Sequence, residues 1–475
     1  MKRIFYILAL LFPLASCSDW LDITPLGEVE EDKMFKDERG FHETLAGSYS
    51  LLASPNAYGM ELTAGFPDEI VQYWNERSEF YNFKYDDATV AARLSATWYK
   101  MYEAIGNLNL LLGHAKKWTP ETLPHYNLIV GEAKGLRAYI HLDLLRLFGP
   151  VLADGLDRPS IPYREEFSNN ITRQMTARDV LDKIETDLKE AYSLLADDPI
   201  KENGRFLDNA LLANTAENKA YAYLFRGIRM NYYAVSATLA RYYLLVGNKP
   251  EALKYAREVI DANNIFQLGN AKSSAQDWMF QPELVWALYD GDINKQAHLG
   301  NTSFSFNYPV NAEFRTFVYS EGHGLPDDFR LNHWWGTTGT TPAIEYLGKY
   351  FRTMNDDEDV TKWDKLISMI RLSEVYYIAA EANIGVDDDK ARQLLQNVRD
   401  ARNLATSALP TTLTGNDLLE QILAEQRKEF WGEGKLFYTY KRLFHDIVIR
   451  QSAIPASKAI FELPVPKEEI EYGNN

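Results

Sequence analysis

Ser236-Ala-Thr-Leu-Ala-Arg-Tyr-Tyr-Leu-Leu-Val-Gly247, then Asn248-Lys-Pro250, then Glu251-Ala-Leu-Lys-Tyr-Ala-Arg-Glu-Val-Ile260 reads as two helices joined by a tight turn. Apolar residues recur every three or four positions in both arms, which gives each helix one buried face. Small Ala240 and Ala252 let the arms approach closely, while Leu239, Tyr243 and Tyr255 fill the groove between them. Gly247 ends the first arm in a left-handed conformation that side chains resist. A pair of this kind cannot bury its apolar face alone, so it predicts stacked neighbours.

This is the tetratricopeptide pattern, and working outward finds more of it. A second copy runs from Leu372 to Arg399, with Ala379, Ala382, Gly385 and Ala391 in comparable places and Asp389 as the expected cap of its second helix. Weaker pairs join Leu128–Phe148 to Ala177–Leu195 and Phe41–Leu52 to Leu94–Leu112. The expected fold class is therefore mostly α, a tetratricopeptide-like helical-pair superhelix. Its pairs lie near 41–112, 128–195, 236–262 and 372–404 of a single domain over 40–475. Two long segments interrupt the pairs, 54–87 and 267–345, the second with strand-like pieces such as Glu283-Leu-Val-Trp-Ala-Leu-Tyr289. Segments of that length usually carry function.

At the other end of the chain, Lys2 and Arg3 precede the apolar run Ile4–Leu14 and then Leu14-Ala-Ser-Cys17. That order is an export signal, 1–16, too short to span a bilayer. Leu-Ala-Ser-Cys resembles a lipobox, so Cys17 is the expected lipidation site and 17–39 a lipidated tether. Acyl chains contribute about 0.8 kcal/mol per buried CH₂ to membrane affinity. Cys17 is the one cysteine of the 475 residues, which excludes an internal disulfide and any multi-thiolate metal site. The formal charge is −17, with no basic block, and speaks against nucleic acid as a partner.

Aromatics make up 13% of the chain, and those on the long segments are the candidates for binding chemistry. A neutral sugar is gripped by ring faces against its C–H patches and by planar amide, carboxylate or guanidinium groups against its hydroxyls. Tyr73, Trp74, Asn75, Arg77 and Tyr81 on the first segment, with Arg330, Asn332, Trp334 and Trp335 on the second, supply those groups. Partial burial under a loop is the plainer reading of each ring. Consecutive Trp334 and Trp335 would point to opposite sides if extended, so one can pack inward. Trp98, Trp278, Trp286 and Trp431 sit in apolar contexts and read as core. No paired-histidine metal spacing, phosphate loop or nucleophile elbow occurs, and no metal or cofactor is expected. Asn355–Asp359 reads as a solvated acidic loop, lacking the glycine and distal glutamate of a calcium loop.

Four stretches resemble the SusD/RagB family of Bacteroidetes outer-membrane lipoproteins across nearly the whole mature chain. They are Glu132-Ala-Lys-Gly-Leu-Arg-Ala-Tyr-Ile-His-Leu-Asp-Leu-Leu-Arg-Leu-Phe-Gly-Pro150 with Asp179–Ala191, Cys17-Ser-Asp-Trp-Leu-Asp22, Ile370–Ala382, and Glu425-Gln-Arg-Lys-Glu-Phe-Trp-Gly-Glu-Gly434 with Lys441-Arg442. The resemblance implies four helical pairs supporting a looped ligand-binding half. It implies a non-enzymatic nutrient binder, docked on a SusC-like TonB-dependent transporter and handing it an oligosaccharide, or in some relatives a peptide. A lipoprotein glycosidase or a pure repeat scaffold are the alternatives from other classes. The motif residues Arg137, Tyr139, Phe148, Arg371, Glu374 and Glu381 are adequately explained by packing and by ion pairs between repeats, and none is assigned to ligand.

Overall fold

The computed structural model describes residues 33–74, 78–205, 225–269, 277, 279–290, 312–321, 327–337, 345–349, 365–449 and 452–473. Eight helices carry the frame: α1 (Glu38–Leu52), α2 (Ala88–Ala115), α3 (Tyr126–Phe148), α4 (Ala177–Leu194), α5 (Tyr232–Leu245), α6 (Lys249–Asp261), α7 (Leu372–Asn383) and α8 (Asp388–Ala401). Each packs on the next in chain order, which is the linear arrangement of a superhelix of hairpins. The molecule is thus mostly helical, as its periodicity requires.

Local chemistry sets the helix ends. Asp87 accepts from the Thr89 and Val90 amides, Thr176 from Asp179, Asn231 from Ala234 and Asn248 from Glu251, each satisfying amides that a first turn leaves unpaired. The cap of α8 is Asp387, which accepts from the Lys390 amide, and not Asp389. The helix begins one residue after the cap, so Asp389 falls inside the first turn, where its carboxylate faces solvent. Gly247 and Gly385 take φ values of 77° and 78° at the ends of α5 and α7.

Two helices, α9 (Gly415–Glu429) and α10 (Lys435–Leu443), close over the frame. Strand β1 (Leu284–Tyr289) pairs antiparallel with β4 (Leu366–Arg371), which runs straight into α7. The short pairs β2 (Trp335–Thr337) with β3 (Glu345–Leu347), and β5 (Ile447–Ile449) with β6 (Ser452–Ile454), complete the sheet content of the described residues.

The first long segment departs from expectation. Residues 57–74 are buried without interruption, and their backbone bonds to itself through successive turns, as in Leu62 N–H to Ala57 O and Tyr73 N–H to Asp68 O. Ala57, Leu62, Phe66, Ile70 and Val71 make it apolar, so it plugs the interior and does not loop over the surface. Gly434, at φ 64°, lets the chain pass against it; a methyl there would run into the Leu62 carbonyl.

At the centre lies a set of fully buried ion pairs. Arg330 binds Asp328 and Glu425, each at 2.7 Å, and Glu429 at 2.9 Å. Arg371 binds Glu429, Glu283 at 3.1 Å and Glu433 at 2.6 Å, and Arg402 joins Glu283 and Glu429. Burial alone would raise the Glu425 and Glu433 carboxyls, but the field of the surrounding cations outweighs it and holds both below the carboxylate range. Elsewhere Arg137 binds Asp187 at 2.7 Å, Arg241 binds Glu374 at 2.7 Å and Arg442 binds Glu381 at 2.6 Å. The motif residues therefore tie one element to the next.

Candidate functional site

The structure brings both aromatic clusters together, but around Trp431 and not around a ligand. Tyr73 stacks on Trp431 with ring centres 4.5 Å apart, and its hydroxyl donates to the Arg427 carbonyl at 2.8 Å. Trp74 meets Trp431 edge-on at 6.2 Å, and Trp335 meets the same Trp431 ring edge-on at 4.9 Å. Tyr73, Trp74 and Trp334 are 1%, 2% and 0% exposed, so they offer no free face and are not a platform. Large rings on an inward-turning segment gain more from core packing than from solvent. Trp334 packs on Phe280 and under the Lys349 ammonium, 4.0 Å from the ring centre. Arg330 is likewise withdrawn, being saturated by its three carboxylates.

The remaining candidates differ. Trp335 and Tyr81 are half-buried and Asn332 is exposed. Of the adjacent tryptophans, Trp334 does turn inward. Asn75, Arg77, Cys17, Trp278 and Asn355–Asp359 lie outside the described residues. Trp98, Trp286 and Trp431 are core, as expected.

An open groove of about 550 Å³ lies where the start of the first long segment meets the end of β1 in the second. One wall is the last turns of α1 with Tyr49 and Ser50, continuing through Ser54 and Pro55, with Arg229 over the Tyr49 ring; Tyr289 and Asp290 belong to the other. Tyr289 ends β1 and is 52% exposed, the outward ring of a strand whose other five residues are buried. The Asp290 amide donates to Lys365 O at 2.8 Å, which fixes the backbone carrying both residues.

The opposite wall is rigid. The Tyr49 hydroxyl donates to Glu132 Oε1 at 2.7 Å and accepts from the Met230 amide at 2.8 Å. Arg229 lies over the Tyr49 ring, 5.1 Å from its centre, and reaches Glu132 Oε1 at 3.3 Å. Glu132 is in turn held by Arg226 at 2.7 Å. Burial would raise the Glu132 carboxyl, but Arg226 and Arg229 outweigh that and keep it low, hence charged. Burial, with Glu132 beside it, pushes the Tyr49 phenol well up, so it stays neutral. The groove thus presents two tyrosines, one guanidinium, one carboxylate and two serine hydroxyls. That set stacks on apolar ring faces and hydrogen-bonds to hydroxyls, with no net charge demanded of the ligand.

Sequence reasoning passed over Tyr49 because it lies within a repeat helix, and over Arg229 because 225–231 carries no pattern. The signal for Tyr289 was present: a large ring at the end of a strand, where the apolar run stops. Among the described residues there is no group of three or more His, Cys, Asp or Glu placed to hold a metal ion. No described helix is long and apolar enough to cross a membrane.

A helical superhelix with a side groove of aromatic and polar groups defines a binding protein of the repeat-scaffold class. Comparison with known proteins narrows this. A family profile described as starch-binding associating with outer membrane matches residues 19–224, and the SusD family profile matches 333–469. The chain belongs to the SusD family. SusD-like protein P38 of Formosa agariphila is 23% identical over 90% of this chain and 88% of its own. A SusD superfamily protein of Bacteroides thetaiotaomicron superposes with TM-score 0.73 at 21% identity, covering 92% of this chain and 98% of that one. A SusD-like carbohydrate binding protein of Bacteroides vulgatus gives 0.69 at 19%, covering 92% and 97%.

Proposed function

We propose that the protein captures a neutral oligosaccharide in the Tyr49–Tyr289 groove and delivers it to a partner TonB-dependent transporter, without cleaving it. The observation that carries this is the groove itself: an exposed ring opposite a ring under a fixed guanidinium, with a carboxylate and hydroxyls between them. Membership of a family described by starch binding and outer-membrane association supports the ligand class and the location. The described lining carries a single carboxylate, Asp290, whereas glycoside hydrolysis works through two. In this reading Cys17 carries the lipid anchor, the protein faces the cell exterior, and a SusC-like transporter takes the ligand.

Titration calorimetry against a panel of glycans and oligopeptides tests it. Saturable heat with a glycan, lost in Tyr289→Ala, is expected. Binding of peptides alone would replace the ligand with the other kind that SusD/RagB relatives take, and release of shortened glycan would make the protein a hydrolase.

A further inference from the structure

A second, smaller space lies where α3, α5, β4, α7, α9 and α10 converge. It measures about 70 Å³. Its walls carry charge in balanced pairs: Arg241 with Glu374, Arg442 with Glu381, Lys435 with Glu433 at 2.9 Å, and Arg146 with Asp143. Such a chamber has no net charge with which to attract an ion.

Beside Arg146 Nε, Arg241 Nη1, Glu374 Oε2 and Lys435 Nζ of the ion pairs, three uncharged polar atoms on its wall make no hydrogen bond within the protein: Ser368 Oγ, Gln426 Oε1 and the Tyr438 hydroxyl. Their residues are 2%, 5% and 8% exposed. A buried polar atom left unpaired costs about 1–3 kcal/mol, and native interiors seldom carry several together. The unpaired guanidinium nitrogens of Arg146 and Arg241 can only donate and the Gln426 amide oxygen can only accept, so the occupant must both accept and donate. It must also be uncharged and small. Water meets all three conditions, taking about 30 Å³ per molecule in the liquid.

We infer that this chamber is a built hydration site, holding a small cluster of water that joins Ser368 of β4, Gln426 of α9 and Tyr438 of α10. The cluster acts as a polar joint between β4, which leads into the fourth helical pair, and the C-terminal helices. It is separate from the groove and does not depend on what the groove binds.

A crystal structure of the mature protein at about 1.6 Å, with a second crystal pressurised with xenon, tests the inference. Two or more ordered peaks are expected within hydrogen-bond distance of the three atoms, with no xenon in the chamber, because xenon enters dry apolar cavities. In parallel, Ser368→Ala and Tyr438→Phe should each lower the Tm by about 2 °C, from the bridging bonds lost. A featureless chamber, a xenon site, a heavier ion, or unchanged or raised Tm values for both variants would overturn it.

Discussion

Trp431 shows how one residue decides the fate of many. Tyr73, Trp74 and Trp335 reach it from segments far away in sequence, and nothing near any of them announces that meeting. Aromatic rings serve cores and sugar platforms alike, so their presence on long segments could not choose between the two. Tyr289 has no such partner in the core and stays out. Trp74→Ala and Trp334→Ala should therefore each cost about 3–5 kcal/mol in urea unfolding, whereas Tyr289→Ala should leave stability unchanged and weaken glycan binding at least about tenfold, or about 1.4 kcal/mol.

A second residue-scale prediction concerns pH. His141 Nδ1 lies 2.9 Å from the Arg137 carbonyl and must donate to it, while Nε2 accepts from the Arg164 amide at 3.1 Å. Both nitrogens are thus committed in the neutral ring, and a proton on Nε2 would face an N–H. Burial pushes this imidazole down to about 3. The unfolded chain then takes up the proton first, so this group's contribution is whole above pH 6.5 and lost as pH falls toward 3, by up to about 1.4 kcal/mol per pH unit. His141→Phe should be less stable at pH 7 yet show a flatter stability profile between pH 6.5 and 5. Equal slopes in urea denaturation would contradict the assignment.

At the scale of elements, the helical pairs were legible because a period near 3.6 and a left-handed glycine are local facts. The same locality explains the misplaced cap: Asp387, Asp388 and Asp389 all suit an N-terminus, and only the backbone turn picks the first. The interior plug at 57–74 was illegible, because turns that satisfy their own backbone leave no periodic trace. Asp68 pins that plug by accepting from the Gly432 and Gly434 amides at 2.7 and 3.1 Å. Two glycines separate the energetics. At Gly247 a methyl meets nothing within 4 Å, so Gly247→Ala should cost only the left-handed penalty, about 1–2 kcal/mol. At Gly434 the same penalty is joined by collision with the Leu62 carbonyl, so Gly434→Ala should cost clearly more by urea unfolding. Equal losses would show that the plug yields freely.

For the whole molecule, the family motifs and the ion pairs are one subject. Glu425 and Glu429, one helical turn apart on α9, and Glu433 in the turn that leads to α10 meet Arg330, Arg371 and Arg402. The motifs suggested ion pairs between repeats; that these three carboxylates share one buried cluster, only the fold shows. The groove was out of reach for a related reason, since its walls come from a repeat helix, an unpatterned turn and a strand end. Attachment to the membrane is a whole-molecule property as well. Expression of Cys17→Ala should move the protein from the membrane fraction to the soluble one, checked by fractionation and immunoblot, with the purified domain binding glycan as before. Retention in the membrane would place the anchor elsewhere.

The most direct measurement is a crystal structure with the bound oligosaccharide chosen by calorimetry. The account predicts a sugar ring stacked on Tyr289, with hydroxyls in hydrogen-bond reach of Arg229 and Asp290. Sugar bound elsewhere, with the groove unaltered, would contradict it.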